Sequence, residues 1–147
     1  ILAWARRSGI RIIHIRHEDI DPSGEFFLKG TPGAEINGLV APQKDEKIIT
    51  KHFPNSFRET RLVEELPGVE KLVIIGAMSN MCIDATARAA FDLGYQVVVV
   101  EDACAASDLK FNDLPIPAGA VHGAFMAALG SVYGEIVRAE EVMKEGL

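Results

Sequence analysis

Residues 71–100 read K-L-V-I-I-G-A-M-S-N-M-C-I-D-A-T-A-R-A-A-F-D-L-G-Y-Q-V-V-V-V, and this stretch decides the fold class. It opens on an apolar run, residues 71–76, and closes on a second one, residues 96–100. Both runs are typical of strands that are covered on both faces of a sheet. The sequence between them predicts a helix from about Cys82 to Leu93 that Gly94 ends. Two buried strands joined by a helix predict a parallel β-α-β unit.

The same alternation of strands and helices continues on either side of this stretch. Upstream we predict a helix that opens the chain, two strands and a helix with a Ser-x-x-Glu capping box: residues 1–8, 11–16, 47–50 and 56–66. Downstream we predict a helix, a short strand and a last helical turn: residues 117–129, 133–138 and 140–144. Residues 17–43 are rich in Pro and Gly and predict a long loop. The pattern indicates an α/β fold, a doubly wound and mostly parallel sheet with helices on both faces, in a single domain of residues 1–147.

Composition excludes several classes of protein. With 147 residues, of which 48% are hydrophobic, the chain is long enough for one domain with a core. No apolar run approaches the roughly 20 residues that cross a bilayer, which argues against a membrane protein. A net charge of −6 without a basic stripe argues against a nucleic-acid partner. Nothing in the sequence resembles a signal peptide, so we expect a cytoplasmic protein.

The turn between the first buried strand and its helix carries a candidate nucleophile. Residues 76–82 (G-A-M-S-N-M-C) place the thiol of Cys82 at or near a helix N-terminus, where N–H groups and the helix dipole stabilise a thiolate and an oxyanion. The turn lacks the further glycines of a phosphate-binding loop. A buried, inert side chain is the commoner fate of a cysteine, and we keep that interpretation for Cys104.

Lys51 is a candidate partner for this thiol. A lysine at the end of a short strand is ordinarily solvated, yet ligands of parallel α/β sheets bind beyond the carboxyl ends of the strands. We expect His17, Lys51, the turn at residues 76–82 and Asp102 to gather at that edge. An ammonium group there stabilises a thiolate and developing negative charge. Spacing alone leaves the pairing of lysine and cysteine open.

Two segments resemble the cysteine hydrolases of the isochorismatase-like superfamily. Residues 73–106, V-I-I-G-A-M-S-N-M-C-I-D-A-T-A-R-A-A-F-D-L-G-Y-Q-V-V-V-V-E-D-A-C-A-A, are similar to the nucleophile region of that family. Residues 49–60, I-T-K-H-F-P-N-S-F-R-E-T, are similar to its lysine segment. The likeness extends over nearly the whole chain, in order and at the expected spacing. Each motif is weak by itself, and the set is specific.

The resemblance implies a Cys-Lys-Asp triad in which Cys82 is the nucleophile and Lys51 is the cation. It also implies a cis peptide bond between Ala77 and Met78, and an oxyanion hole made by the backbone amides of Met78 and Cys82. Beside these motifs lie the candidate pocket residues: His17, Phe53, Phe57, Ser79 and Asn80. Phe26 and Phe27 are further candidates for an apolar wall, although core packing is the commoner fate of a phenylalanine.

Two departures from the family's pattern bear on the mechanism. The family's general base is an aspartate at the end of a first strand, and no carboxylate in this sequence matches it. Because the chain opens within a helix at Ile1, we expect a segment with that strand to precede it; the alternative is a remnant that lacks the base. Nicotinamidase-type relatives carry an Asp-x-His metal pair that is absent from residues 14–19 (H-I-R-H-E-D). We therefore expect no catalytic metal and no other cofactor.

These inferences lead to one expected function and two alternatives. We expect a metal-independent cysteine hydrolase that cleaves an amide-type C–N bond of a small, non-peptide substrate through a thioester on Cys82. The resemblance also implies a homo-oligomer. The alternatives are a non-catalytic oligomeric binding module, and a redox-sensitive thiol protein in which Cys82 is oxidised instead of acylated.

Overall fold

The structure is a computed structural model and describes residues 1–145. The chain divides into two compact units, Ile1–Glu65 and Leu66–Leu147. Each unit combines parallel strands with helical segments, as the alternation in the sequence predicts. Among residues 1–145, no helix has the length and apolar character that a membrane span requires.

The N-terminal unit is built on two parallel strands. Helix α1 is Leu2–Arg7, strand β1 is Ile13–His17 and strand β2 is Lys47–Lys51. The loop between the two strands contains two 3-10 turns, Pro32–Ala34 and Gly38–Val40. Gly9 lies in the left-handed region at φ +68° and ends α1 as predicted. β1 and β2 pair in parallel with His17 opposite Lys51, so both strands end at the same edge. The two predicted strands and the long loop are therefore confirmed.

The helix predicted over residues 56–66 is wrong. This segment forms a series of turns, in which Val63–Glu65 is a short 3-10 turn. The side chain of Asn55 accepts a hydrogen bond from the backbone N–H of Phe57 at 2.9 Å, and the Thr60 hydroxyl donates to the carbonyl oxygen of Ser56 at 2.6 Å. Such local bonds between side chains and backbone compete with the helical ladder. They account for the failure of a prediction that rested on the capping pattern alone.

Glu46 joins three parts of the N-terminal unit. Its carboxylate accepts hydrogen bonds from Arg6 of α1 at 2.8 and 2.9 Å and from the backbone N–H of Gln43 at 2.8 Å. Nε2 of His14, a buried residue of β1, lies 2.8 Å from the same carboxylate. The Arg6 hydrogen bond is the largest cause that holds the pKa of Glu46 far below its usual range, followed by the Gln43 hydrogen bond. Glu46 therefore fixes the loop before β2 against both α1 and β1.

We expect Glu46→Gln to lower the free energy of unfolding near neutral pH, and we expect this loss to shrink on acidification. Because the folded pKa of Glu46 lies below the ordinary value of about 4.3, the ionised group stabilises the fold above that value. The contribution disappears as the pH falls from there through the folded pKa. Urea unfolding of wild-type protein and variant at about pH 7 and about pH 3 measures the loss of unfolding free energy at each pH. Glu35→Gln is the control, since Glu35 is exposed and meets Arg16 at 3.5 Å. An equal loss at both pH values would contradict the assignment.

The C-terminal unit carries a three-stranded parallel sheet in the order β3-β4-β7 and a separate β5–β6 hairpin. Strands β3 to β7 are Lys71–Ala77, Gln96–Ala105, Leu109–Phe111, Leu114–Ile116 and Glu135–Val137. Helices α2, α3 and α4 are Asp84–Asp92, Ala118–Val132 and Ala139–Glu145. Val99 and Val100 of β4 and Leu129 of α3 are fully buried. Full burial of one such side chain contributes about 1.5–3 kcal/mol, so β4 and α3 form the centre of this unit.

The region between β4 and α3 differs from the prediction. β4 continues five residues past the predicted end at Val100, and the hairpin that follows it was not predicted. The hairpin reverses at Asn112, which adopts the left-handed region at φ +46°. The extra residues of β4 include Asp102, a polar residue that lies beyond the apolar run. Its carboxylate accepts a hydrogen bond from the backbone N–H of Ala139, at the start of α4, at 2.8 Å. The hairpin strands are too short, and Pro115 too unusual in a strand, to be recognised from sequence.

We expect Gly134→Ala to destabilise the C-terminal unit by about 1–3 kcal/mol. A Cβ atom at Gly134 would overlap the backbone carbonyl oxygen of Val97 and would lie 2.9 Å from the Val97 Cβ atom, and backbone cannot move aside as a flexible side chain can. Gly123→Ala, within α3, is the matched control. Its Cβ would meet no heavy atom of the described residues within 4 Å, other than its own helix backbone, and we expect a gain of up to about 1 kcal/mol. Urea unfolding of both variants tests the pair, and equal effects would contradict the steric explanation.

Candidate active site

The candidate nucleophile turn follows β3 directly. The peptide bond between Ala77 and Met78 is cis, and it is the bond that the family resemblance singles out. A π-helical turn, Ser79–Ile83, comes next and leads into α2. The carbonyl oxygen of Met78 accepts hydrogen bonds from the N–H groups of Met81 at 3.0 Å and Ile83 at 3.2 Å. The helical segment thus begins three residues earlier than predicted, and partly buried Cys82 lies in its first turn.

Gly76 allows β3 to turn towards this segment. Its φ of +128° lies in the region that residues with a Cβ atom rarely adopt. The pairing of β3 with β4 shifts between Ile74 and Gly76, and beyond the shift Gly76 lies opposite Cys104. The strand is therefore irregular just before the cis peptide, which re-aims the residues that follow it.

The two cysteines differ in environment, and neither forms a disulfide. Burial raises the pKa of the Cys104 thiol to about 11, and nearby Asp102 adds to the increase. A hydrogen bond from the backbone N–H of Gly76 opposes this shift and is not enough to cancel it. Cys104 is therefore a protonated, structural thiol at neutral pH, as its sequence context predicts.

We expect iodoacetamide to label Cys82 before Cys104. A thiol with a pKa of about 11 is ionised to about one part in a thousand at about pH 8, and the thiolate is the reactive form. Cys82 is partly exposed and lies at a helix start, where negative charge is favoured. Peptide mass spectrometry over a time course measures both rates, with Cys104→Ala as the control that leaves Cys82 labelling intact. Equal labelling of the two cysteines would contradict this assignment.

The neighbours of Cys82 in the turn have contrasting environments. Ser79 is fully buried, and its hydroxyl lies 2.8 Å from Nδ1 of His122 on α3. The side-chain oxygen Oδ1 of Asn80 is also buried and has no hydrogen-bond partner among residues 1–145. The sequence predicted for His122 only that it lies in the helix over residues 117–129, because a contact across 43 positions leaves no local pattern.

In the N-terminal unit the structure brings two candidate residues together. Lys51 is only 3% exposed, and its Nζ lies 2.8 Å from Nδ1 of His17 and 2.9 Å from the carbonyl oxygen of Phe53. The ammonium group donates both hydrogen bonds, so the proton of neutral His17 resides on Nε2. Burial first and the Lys51 charge second lower the pKa of His17; His52 adds to this and Asp19 opposes it. His17 is therefore neutral near pH 7.

Aromatic residues lie close to this pair. Phe27 has a φ of +57°, unusual for an aromatic residue, and its ring meets the His17 ring edge-on with the centroids 5.6 Å apart. The guanidinium group of Arg58 lies 3.6 Å from the centroid of the Phe53 ring. Phe57 is partly buried, whereas Phe26 is 72% exposed. Arg58 did not emerge from the sequence, because its contact depends on the turns that replace the predicted helix.

Comparison with other proteins identifies the family. The Isochorismatase domain family matches residues 1–125. An uncharacterized isochorismatase family protein of Bacillus subtilis, YddQ, is 44% identical over 146 residues, which cover 98% of this chain and 81% of that protein. The maleamate amidohydrolase of Pseudomonas putida is 27% identical over 160 residues, with 99% of this chain and 70% of that protein covered.

Solved structures agree with this similarity. A crystal structure of an Oleispira antarctica protein assigned to the isochorismatase hydrolases matches with a TM-score of 0.92 and 48% identity, over 97% of this chain and 76% of that one. A cysteine hydrolase from Pseudomonas syringae pv. phaseolicola matches with a TM-score of 0.89 and 25% identity, over 97% and 75% of the two chains. These similarities confirm the predicted α/β fold class. The chain belongs to the isochorismatase family of hydrolases.

Proposed function

We propose that this protein hydrolyses an amide-type C–N bond of a small, non-peptide substrate through a thioester on Cys82. The observation that carries the proposal is the position of Cys82 in the first turn of a helical segment that follows β3 directly. The start of a helix favours negative charge, which a thiolate and a tetrahedral oxyanion both carry. The similarity to a maleamate amidohydrolase and to a cysteine hydrolase supports the same chemistry.

The proposed reaction has two steps. Cys82 Sγ attacks the carbonyl carbon while a base takes the thiol proton; the C–N bond then breaks and the amine leaves with a proton. Water attacks the resulting thioester, releases the acid and restores the thiol. We propose that the amides of Met78 and Cys82 bind the oxyanion. No carboxylate in residues 1–147 matches the family's aspartate base, so the general base is left unassigned within this sequence.

Lys51 is the proposed cation of this reaction. It is buried, and two acceptors, His17 Nδ1 and the Phe53 carbonyl oxygen, hold its ammonium group in a defined orientation. Burial first and the Lys51 charge second lower the pKa of His17, so His17 carries no charge near pH 7. A fixed positive charge of this kind stabilises a thiolate and the negative charge that develops during acyl transfer.

The proposed reaction uses no metal. In the segment that departs from the metal-binding pattern, His14 contacts the Glu46 carboxylate with Nε2, and Arg16 meets Glu18 at 3.0 Å. We propose that Phe27 and Phe53, beside the Lys51–His17 pair, form an apolar wall for the substrate, with Phe57 as a further pocket residue. Near Cys82, Asn80 is the proposed substrate contact, because the side chain of fully buried Ser79 is engaged by His122. An apolar wall with few polar groups is typical of pockets for small molecules.

Acyl trapping tests the proposal. The protein is mixed with maleamate, nicotinamide or a simple aryl amide, quenched in acid and examined by intact-mass and peptide mass spectrometry. We expect the mass of the acyl group on the Cys82 peptide, loss of that mass with hydroxylamine, and release of the amine. Turnover without any adduct on Cys82 would overturn the thioester mechanism. Saturable binding without turnover would favour a binding module, and a stable sulfenate without an acyl adduct would favour a redox protein.

We also propose that the protein acts in the cytoplasm as a homo-oligomer. Three apolar side chains of the β5–β6 hairpin are exposed, and a second copy would remove them from water: Leu109, Phe111 and Leu114. Light scattering coupled to size-exclusion chromatography measures the assembly, and a monomer at all concentrations would contradict it.

A further inference from the structure

His122 is one of two polar residues in the largely apolar helix α3. Of the 15 residues of α3 (A-G-A-V-H-G-A-F-M-A-A-L-G-S-V), only His122 and Ser131 have polar side chains. Ser131 donates its hydroxyl to the carbonyl oxygen of Ala128 within its own helix. His122 instead reaches Ser79, 43 positions earlier in the chain, with 2.8 Å between Nδ1 and Oγ. This bond links α3 to the first residue of the π-helical turn that carries Cys82.

Because Ser79 is buried, its bond to His122 affects the stability and the conformation of the turn. Ser79 has no exposed surface, and a buried hydroxyl that lacks a hydrogen-bond partner destabilises the fold. Serine also tends to bond its own backbone, which would draw the turn into another conformation. Because His122 engages the hydroxyl, the Ser79 side chain is held towards α3. The turn can then keep its wide form, in which the Ile83 N–H bonds to the Met78 carbonyl oxygen.

We propose that His122 is a positioning residue for the nucleophile: through the Ser79 hydroxyl it holds the π-helical turn in the form that presents Cys82. The inference rests on the proposed function of Cys82 and adds a residue that neither the sequence nor the family resemblance assigned. His122 does not touch the reacting atoms. It acts on Cys82 only through Ser79 and the backbone of the turn.

The test compares His122→Leu, Ser79→Ala, the double variant and the conservative His122→Asn. We expect each single change to slow iodoacetamide labelling of Cys82 by about 10-fold. We also expect each to lower kcat by about 10-fold with little change in KM. The double variant should be no slower than the singles, because both changes break the same bond. His122→Asn should recover part of the rate, and Ser131→Ala on the same helix is the matched control.

Labelling separates this inference from the proposed function, because alkylation of Cys82 needs no substrate. If acyl trapping fails but the single variants still slow labelling, positioning stands and the hydrolytic assignment falls. Variants that lose stability in urea yet label at the wild-type rate, or single effects that add in the double variant, would overturn the positioning role. If the His122→Leu variant does not fold, the wild-type protein provides a second test of the bond between His122 and Ser79. A nitrogen-detected NMR spectrum should show one fixed tautomer for His122, and a free mixture of tautomers would overturn the bond.

Discussion

Cys82→Ala is expected to remove hydrolysis of any amide that wild-type protein turns over, with a loss of at least about 10⁴-fold. Alanine has no nucleophilic atom, so no thioester can form, although the fold and the pocket remain. Steady-state release of the amine measures the loss. Cys82 is only partly buried, so the free energy of unfolding should change little, and urea unfolding checks that the variant is native.

The second cysteine supplies the matched control for this experiment. Cys104→Ala should retain nearly full activity, because a thiol whose pKa is raised to about 11 is protonated near neutral pH and takes no part in the proposed reaction. If Cys82→Ala retained wild-type activity, the covalent mechanism would have to be abandoned. If Cys104→Ala instead abolished turnover without a loss of stability, the nucleophile would have been assigned to the wrong cysteine.

Lys51→Met should lower kcat by about 10²–10³-fold, the scale on which one well-placed electrostatic group acts in acyl transfer. Methionine preserves much of the volume of the side chain and removes the charge. The change also leaves His17 Nδ1 and the Phe53 carbonyl oxygen without this donor. We therefore expect an accompanying loss of stability of about 1–3 kcal/mol, and activity must be compared under conditions in which the variant is fully folded.

The pKa of His17 shows independently whether the charge has been removed. Lys51 lowers this pKa by its charge, and burial lowers it further. In Lys51→Met the pKa of His17, followed by NMR, should rise towards its ordinary value without reaching it, because burial remains the larger cause. A variant that loses activity while the pKa of His17 stays constant would show that Lys51 is not charged at this position. Lys51→Arg keeps the charge but not the shape, and should recover activity only in part.

The failures of the sequence-based prediction have identifiable causes. The helix over residues 56–66 was inferred from a capping pattern, but Asn55 and Thr60 form local bonds that favour turns. The end of β4 was misplaced because the apolar run stops at Val100, whereas the strand continues through Asp102, whose carboxylate accepts a hydrogen bond from the Ala139 N–H at the start of α4. In each case the deciding contact involves a side chain that a hydrophobic pattern does not describe.

Local patterns were enough to establish the α/β class, most strands and the candidate nucleophile. The apolar runs that become β3 and β4 must be buried, and Gly9 and Gly94 supply the left-handed conformations that end α1 and α2. These properties depend on neighbours along the chain, so they can be read before folding. The alternation of strands with a helix then leaves few topologies open.

Contacts between distant residues required the folded chain. The register that sets His17 beside Lys51 spans 34 positions, and the bond from His122 to Ser79 spans 43. The ionisation of His17 and Cys104 likewise follows from burial, which no residue has until the chain around it has packed. Sequence determines which groups are available for chemistry, whereas their distances, partners and charges arise from packing between elements far apart along the chain.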